Sequence, residues 1–364
     1  MKVNTIGLNS VRLNTIALNH IGEIRSGGGG SKPSPIPQWI REHVVFYYDV
    51  KKQGATNETL KESAYLQDLS GKGRRMKLNN FLFAEMSGVG GYNDNFSNWK
   101  SDSNNGVVKI ESDSSIVIQS VKIEYRGVLY QDSTKKTTLK CNITGITEEL
   151  KGKLIFRYTD AEGGKNITLE NGYFEFNSSE YEGLSGWYGF TSKQPIDNCN
   201  ITITQIPEYP GALVTDGVDD YGLVENLSSG VKMLFMTVNP MMLDAALYDQ
   251  RYTSGWHFFA VITESNKVAY NVYNTRGKTY INGVLNESQT SNELQNQKQI
   301  ITIVNSEVNE TNSLPANFFR IRGGGLRMKC AFYNSIAFDS IPTEADGFTE
   351  QELIDYVLTN IIGQ

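Results

Sequence analysis

The chain has 364 residues, of which 39% are hydrophobic and 20% are charged, and its formal net charge is -6. This composition predicts one large or two medium globular domains rather than disorder. The acidic balance argues against nucleic-acid binding, which needs a basic surface to displace counterions from phosphates. We find neither a run of ~18 apolar residues nor a hydrophobic signal core, so we expect no membrane partner and no classical export.

The chain opens with a five-residue repeat. Each unit begins with Asn, has Ile or Val in third place, and in the first three units ends with Leu. A chain that turns at each Asn can point every Leu inward, as in a coil of a pentapeptide-type β-helix, whereas helix and strand periods cannot keep this register. One coil cannot bury its apolar face alone. We therefore predict that residues 1–25 are an anchor that completes its core on another protein, through Ile6, Leu8, Val11, Leu13, Ile16, Leu18 and Ile21.

Residues 26–38 are predicted to be a linker. Ser26–Ser31 is a glycine-rich flexible coil, and Lys32–Pro37 has the composition of a stiffer polyproline-like spacer. The alternative interpretation is a glycine-serine linker added by protein engineering, but the repeat that precedes the linker does not look engineered.

Beyond the linker, short alternating strands separated by turn residues predict β structure almost throughout. Residues 39–105 and 207–364 are predicted to form the two parts of one sandwich, and residues 106–206 a second sandwich inserted between them. The pattern predicts one helix, which lies near the end of the chain. Thr349 and Glu352 make a capping box there, before an apolar stripe that should pack on the sandwich.

Two smaller features have clear structural expectations. Asn282 and Gly283 tolerate positive φ and predict a type I′ hairpin. The cysteines, Cys141, Cys199 and Cys330, are widely spaced and odd in number, so we expect buried free thiols rather than a disulfide framework or a metal site.

Five strings resemble, in the expected order, those of laminin-G/concanavalin-type lectin sandwiches. They are Asp68–Gly73, Leu213–Tyr221, Trp256–Val261, Thr279–Leu285 and Phe332–Asp339. The resemblance covers about residues 39–99 and 209–362. It implies an all-β fold, a concanavalin-like jelly-roll sandwich, with the middle of the chain inserted as a separate domain.

The leader Lys2–Asn14 is similar to the leaders of virion fibre and decoration proteins of crAss-like phages that infect Bacteroides. This resemblance implies a virion component that is made in the bacterial cytoplasm, forms homo-oligomers and is attached to capsid or tail proteins through its N-terminus.

Candidate binding residues lie in two loops rich in aromatic residues. Aromatic rings can stack on sugar faces, so Tyr92, Trp99, Trp187 and Tyr188 are the candidate glycan ligands. Packing in the core is the alternative role for such rings. Asp216, Asp219 and Asp220 are weak candidates for a calcium site, with turn formation as the simpler role. Calcium is the one cofactor that the sequence leaves open.

No catalytic residue is expected. Glycosidases need two carboxylates facing one another across the scissile bond, and the nearest candidates, within Glu344–Glu350, have the wrong spacing and enter a helix. Together with the aromatic loops, the resemblance to virion fibre proteins implies a capsid-attached head fibre that binds host or mucus glycans. The alternatives are a tail fibre or tail-attached adhesin, a glycan depolymerase, and a host-encoded surface lectin, which the missing signal peptide disfavours.

Overall fold

The structure is a computed structural model that describes residues 34–227, 230–242, 245–250, 259–262, 268–270, 277–286, 295–305, 314–321 and 324–363. The predicted anchor, with Ile6, Leu8, Val11, Leu13, Ile16, Leu18 and Ile21, lies outside these residues, as do the glycine-rich part of the linker and the dipeptide Trp256–His257. No helix in the described part of the chain is long and apolar enough to cross a membrane.

The chain folds into two compact units. Of the residues that the structure describes, the first comprises those from Ser34 to Phe83, the short stretch 87–89 and those from Gly211 onward; the second comprises residues 84–86 and 90–210. The chain thus leaves the first unit at Gly90 and returns to it at Gly211.

The secondary structure is dominated by strands. Before residue 90 these are β1 (Val44–Asp49), β2 (Tyr65–Leu66), β3 (Met76–Asn79) and β4 (Gly88–Val89). The second unit contains β5 (Lys100–Ser101), β6 (Gly106–Ser112), β7 (Ser115–Val121), β8 (Leu129–Asp132), β9 (Thr138–Thr144), β10 (Leu154–Asp160), β11 (Gly163–Thr168), β12 (Gly172–Asn177), β13 (Trp187–Ser192) and β14 (Ile201–Gln205). After residue 210 come β15 (Leu213–Val214), β16 (Tyr221–Leu227), β17 (Met233–Pro240), β18 (Ala245–Asp249), β19 (Phe259–Ile262), β20 (Val268–Tyr270), β21 (Lys278–Ile281), β22 (Val284–Leu285), β23 (Gln299–Val304), β24 (Leu314–Phe318) and β25 (Cys330–Phe338).

In the part of the chain that the structure describes, the α-helices are short and belong to the first unit. They are α1 (Pro35–His43), α2 (Asn57–Ser63) and α3 (Glu350–Val357), and α3 continues into a π-helical turn, Leu358–Ile362. Single 3-10 turns occur at Phe96–Asn98, Ser178–Glu180 and Glu344–Asp346.

The first unit is a sandwich of two antiparallel sheets. An eight-stranded sheet has the order β22-β21-β23-β17-β25-β15-β4, with β1 also paired to β25, and a seven-stranded sheet has the order β2-β3-β16-β24-β18-β19-β20. Aromatic rings from both sheets meet between them. The ring of Phe46 on β1 lies 5.7 Å from that of Phe318 on β24 and 6.4 Å from that of Tyr248 on β18. The predicted all-β sandwich is confirmed.

Helices cover the other face of the eight-stranded sheet. Trp39 of α1 packs on Phe338 of β25, with ring centroids 5.4 Å apart, and Leu353 of α3 is fully buried in the same cluster. Strands β1 and β17 are therefore buried on both faces and are nearly continuous in apolar residues. The Thr349 side chain accepts from the Glu352 N–H, and the Glu352 carboxylate accepts from the Thr349 N–H, so the predicted capping box is confirmed.

The predicted linker is wrong at its C-terminal end. Residues 35–38 are not a polyproline-like spacer but the first turn of α1, which begins after Ser34. Ser34 caps the helix by accepting a hydrogen bond from the Ile36 N–H. Proline lacks a backbone N–H, and in the first turn of a helix that N–H would have no partner within the helix. Proline is therefore favoured at this position.

The second unit is also a sandwich. One sheet has the order β11-β10-β13-β8-β5 and the other the order β12-β9-β14-β7-β6. Their shared core is rich in aromatic residues, which pack with ring centroids between 4.7 and 6.4 Å apart: Phe96, Trp99, Phe156, Phe174, Phe176, Tyr188 and Phe190.

This unit begins earlier than the predicted boundary at residue 106. Phe96 and Trp99 are buried in its core, and Lys100 of β5 pairs with Tyr130 of β8. The Gly-, Asn- and Ser-rich composition of residues 87–105 suggests a loop of the first sandwich, but the two buried rings bind this segment to the second core.

The smaller expectations hold in the structure. Asn282 and Gly283 have φ values of 52° and 84°, and Ile281 pairs with Val284 across the turn. The cysteines are free and buried, and burial raises the pKa of all of these thiols, to about 12 for Cys330.

We predict that Thr349→Ala lowers the free energy of unfolding by about 1 kcal/mol, because the first turn of α3 loses its side-chain acceptor. Chemical denaturation would measure this change. Thr359→Ala is the matched control, since Thr359 is exposed near the end of the same helical segment and caps nothing. Equal stability of the two variants would contradict the role assigned to the cap.

Candidate functional site

Trp187 lies on the outer face of a sheet in the second unit. Successive side chains of a strand point to opposite faces, so Trp187 and Gly189 of β13 face outward while Tyr188 and Phe190 face the core. Trp187 is half-buried, and its ring centroid lies 5.7 Å from that of Tyr130 on β8, with the ring planes at 59°. The two rings form an angled aromatic surface.

Two of the four sequence-predicted ligand residues are core residues instead. Trp99 is 5% exposed and Tyr188 is not exposed at all, so neither can present a ring face to a sugar. Their rings pack against each other at 5.8 Å, and the Tyr188 hydroxyl donates to the carbonyl oxygen of Lys135. The expectation that these residues are exposed is wrong. A substitution of either residue would change the packing of the core and not a binding surface.

Tyr92, the remaining candidate, is half-buried at the start of the second unit. Its backbone N–H donates to the carbonyl oxygen of Glu85, and its ring lies close to Gly90. Tyr92 is therefore held against the chain as it enters this unit.

The pairing of three strands sets a row of residues beside Trp187. Arg157 of β10 is opposite Gly189, and Gly189 is opposite Tyr130, so the three residues form one row across the sheet. A Cβ at Gly189 would lie 2.3 Å from the Leu129 carbonyl oxygen and 2.6 Å from the Tyr130 Cα. Gly189 is buried, so only a residue without a side chain fits where the two strands approach so closely.

Two further residues complete the surface, which we call the Trp187 face: Tyr125, Tyr130, Arg157, Asn166 and Trp187. The Arg157 guanidinium lies over the Tyr125 ring, 5.3 Å from its centroid, and donates to the Asn166 Oδ1 at 3.0 Å. Tyr125 is 40% exposed.

The Trp187 face combines apolar rings with polar groups that remain accessible. Indole and phenol faces attract C–H groups, whereas a guanidinium and an amide offer hydrogen-bond donors in fixed directions. The contacts to Tyr125 and Asn166 restrict the Arg157 side chain before any ligand arrives, which reduces the entropy cost of using it. Such a surface can hold a molecule with both C–H faces and hydroxyl groups.

The acidic turn, Asp216–Asp220, brings together the weak metal candidates. Ligand oxygens of Asp216, Asp219 and Asp220 all lie within 4.8 Å of one another. The Asp216 Oδ1 accepts from the Val218 N–H at 2.7 Å, and Asp220 accepts from the Asp216 N–H at 2.9 Å. These hydrogen bonds are those of a turn closed by its own aspartate side chains.

Asp220 is the buried member of the acidic turn. It is 1% exposed and also accepts from the Ser87 hydroxyl at 3.1 Å. Burial raises the pKa of its carboxyl to about 7, against the hydrogen bonds from Asp216 and Ser87, which lower it. Both oxygens are thus engaged, and a cation would have to share them with these donors.

The carboxylates near the last helix serve as caps and ion-pair partners. Asp346 accepts from the Thr343 N–H and hydroxyl, and these hydrogen bonds hold the pKa of its carboxyl below the usual range. Glu350 accepts from the Lys278 ammonium at 3.1 Å and from the Tyr280 hydroxyl.

The sequence reading missed Tyr125, Tyr130, Arg157 and Asn166. The signal that could find Tyr130 and Arg157 is alternation, since each lies between residues that face the core: Leu129 and Gln131, and Phe156 and Tyr158. Tyr125 and Asn166 lie in polar segments that no local pattern distinguishes.

We predict that the stability difference between Asp220→Asn and the wild type grows as the pH rises from 4 to 7. The unfolded carboxyl loses its proton near pH 4, whereas the folded one keeps it to about pH 7, so the wild type alone loses stability in this window, by up to about 4 kcal/mol. The side-chain oxygen of Asn can still accept from the Asp216 N–H, and its amide group can donate to the Ser87 hydroxyl oxygen.

Thermal unfolding at several pH values, in EDTA and in calcium, would measure this difference. A difference that does not change with pH would contradict the pKa shift. Calcium that stabilises the wild type but not Asp220→Asn would contradict the assignment of the acidic turn to turn formation alone.

Comparisons of the chain with protein-family models, with curated proteins and with solved structures find no match. The geometry of the Trp187 face and the resemblances in the sequence therefore carry the functional argument.

Proposed function

We propose that this chain is a structural fibre protein of a virion that holds a glycan of the host or of mucus on the Trp187 face. The observation that carries the proposal is the half-buried pair of rings, Trp187 and Tyr130, whose centroids lie 5.7 Å apart on the outer face of the sheet. The resemblance of the leader and of the lectin-like strings supports the virion context. Attachment to the head is favoured, with attachment to the tail as the alternative.

The ring geometry supports binding of a single saccharide chain. Two rings whose planes meet at 59° cannot both lie against one flat surface, but they can contact two faces of a narrow, twisted ligand. Arg157 and Asn166 then lie at one side of the rings, where hydroxyl groups of the ligand can accept and donate.

The proposal contains no bond cleavage. A depolymerase would need two carboxylates on either side of the glycosidic bond. Asp132 is the register partner of Trp187, and hydrogen bonds from the Thr134 N–H and hydroxyl hold the pKa of its carboxyl below the usual range. A carboxylate held in its ionised form can accept hydrogen bonds from sugar hydroxyls, but it is a poor general acid.

The predicted anchor completes the proposal. The apolar side chains of its five-residue repeat would complete a core with other virion proteins, and the linker would let the folded body swing relative to the particle. Copies of the chain would then bind together as a homo-oligomer, so that several sites of low affinity give a high overall avidity.

We predict that Trp187→Ala weakens glycan binding by at least about tenfold, or about 1.4 kcal/mol, because the ligand loses its largest stacking surface. A glycan array with the body from residue 34 onward would identify ligands, and titration calorimetry would give the dissociation constants. Arg157→Gln should weaken binding of the same ligands.

Tyr173→Ala is the matched control. Tyr173 is 63% exposed in the same unit but lies on β12 of the other sheet, so its loss should leave the affinity unchanged. Equal binding by the wild type and Trp187→Ala would refute the assignment of the Trp187 face, and no binding to any glycan would leave a purely structural role.

We predict that deletion of Met1–Ile24 leaves a folded body that no longer joins particles, because the deleted residues carry the apolar repeat. Circular dichroism would test folding, and co-sedimentation with virions would test attachment. Normal incorporation of the truncated chain would refute the anchor, independently of any result on glycans.

A further inference from the structure

A second surface that can bind a ligand lies on the first unit. A groove of about 290 Å³ is lined by Tyr65, Arg74, Arg75, Lys77, Leu223 and Glu225. We call it the cationic groove, because three of these side chains are cationic and one is acidic. This local excess of positive charge contrasts with the net charge of -6 of the whole chain.

The floor of the groove is set by the pairing of three adjacent strands. Tyr65 of β2 is opposite Lys77 of β3, and Lys77 is opposite Leu223 of β16. The alternate residues, Leu66 and Met76 among them, are fully buried between the sheets. The three side chains therefore lie in one row on the outer face of the seven-stranded sheet.

Arginine side chains form one wall. The Arg75 guanidinium lies 4.5 Å from the centroid of the Tyr65 ring, and Arg74 donates from its guanidinium to the Val45 carbonyl oxygen at 2.8 Å. Asp68 accepts from the backbone N–H of Arg74 at 2.9 Å, which fixes the chain where it enters β3. The wall is thus held in place by the Asp68 turn.

The charges of Arg75 and Lys77 remain available to a ligand. Both side chains are exposed, and neither lies in an ion pair with a carboxylate in the described part of the chain. Guanidinium and ammonium groups bind carboxylate and sulfate oxygens through charge-assisted hydrogen bonds. Tyr65 and Leu223 add a partly exposed apolar surface between them.

We propose that the cationic groove binds acidic saccharides, with a carboxylate or sulfate of the sugar held by Arg75 and Lys77 and the sugar ring placed on Tyr65 and Leu223. The site lies in a different unit from the Trp187 face and takes a different class of ligand. It goes beyond the proposed function and does not depend on it.

Binding of the full-length chain to alginate, a polymer of uronic acids, tests the inference, with dextran as the neutral comparison. We expect binding to alginate but not to dextran, and a loss of about tenfold or more in affinity for the double variant Arg75→Gln/Lys77→Gln. Because both residues are exposed, the variant should fold normally, as circular dichroism would verify.

Lys51→Gln/Lys136→Gln is the matched control, since it removes two exposed positive charges outside the groove. Equal losses in the two double variants would show general attraction of a polyanion and overturn the inference.

Trp187→Ala separates this inference from the proposed function. It should leave alginate binding unchanged, whereas the ligands of the Trp187 face should be lost. If Trp187→Ala abolished alginate binding and Arg75→Gln/Lys77→Gln did not, acidic saccharides would bind the second unit, and the cationic groove would be refuted.

Discussion

The alternation of side chains along β-strands decides which residues of this protein can meet a ligand. In β13, the same pleat that buries Tyr188 in the second core turns Trp187 outward. In β3, it buries Met76 and exposes Lys77. Each candidate surface is therefore the reverse side of a hydrophobic core, and the core fixes the positions of its residues. Most residues of the two surfaces lie on strands and not in loops.

The fold class and several local structures could be predicted from the sequence, because their causes are local. The Asn282-Gly283 turn, the Thr349 cap and the buried thiols each depend on a few neighbouring residues. The order of the strands and the boundary at Gly90 could not be predicted. They depend on which core receives Phe96 and Trp99, and no local pattern records that choice.

The candidate site was only partly predictable for the same reason. Trp187 and Tyr188 are adjacent in the sequence, which suggests one aromatic patch, but adjacent strand residues cannot share a face. The ring that lies against Trp187 is that of Tyr130 on another strand, and the row that includes Tyr130 continues through Gly189 to Arg157. Pairing between distant strands creates the surface, and single-sequence patterns do not contain it.

The two strands that flank the middle segment in sequence, β4 and β15, are neighbours in one sheet of the first unit. Val89 on β4 is the register partner of Leu213 on β15, so the last and first residues of these strands are direct neighbours in one sheet. A short turn could join them and close the eight-stranded sheet without the 90–210 segment. Replacement or removal of the middle segment would therefore leave the strand pairing of the first unit intact.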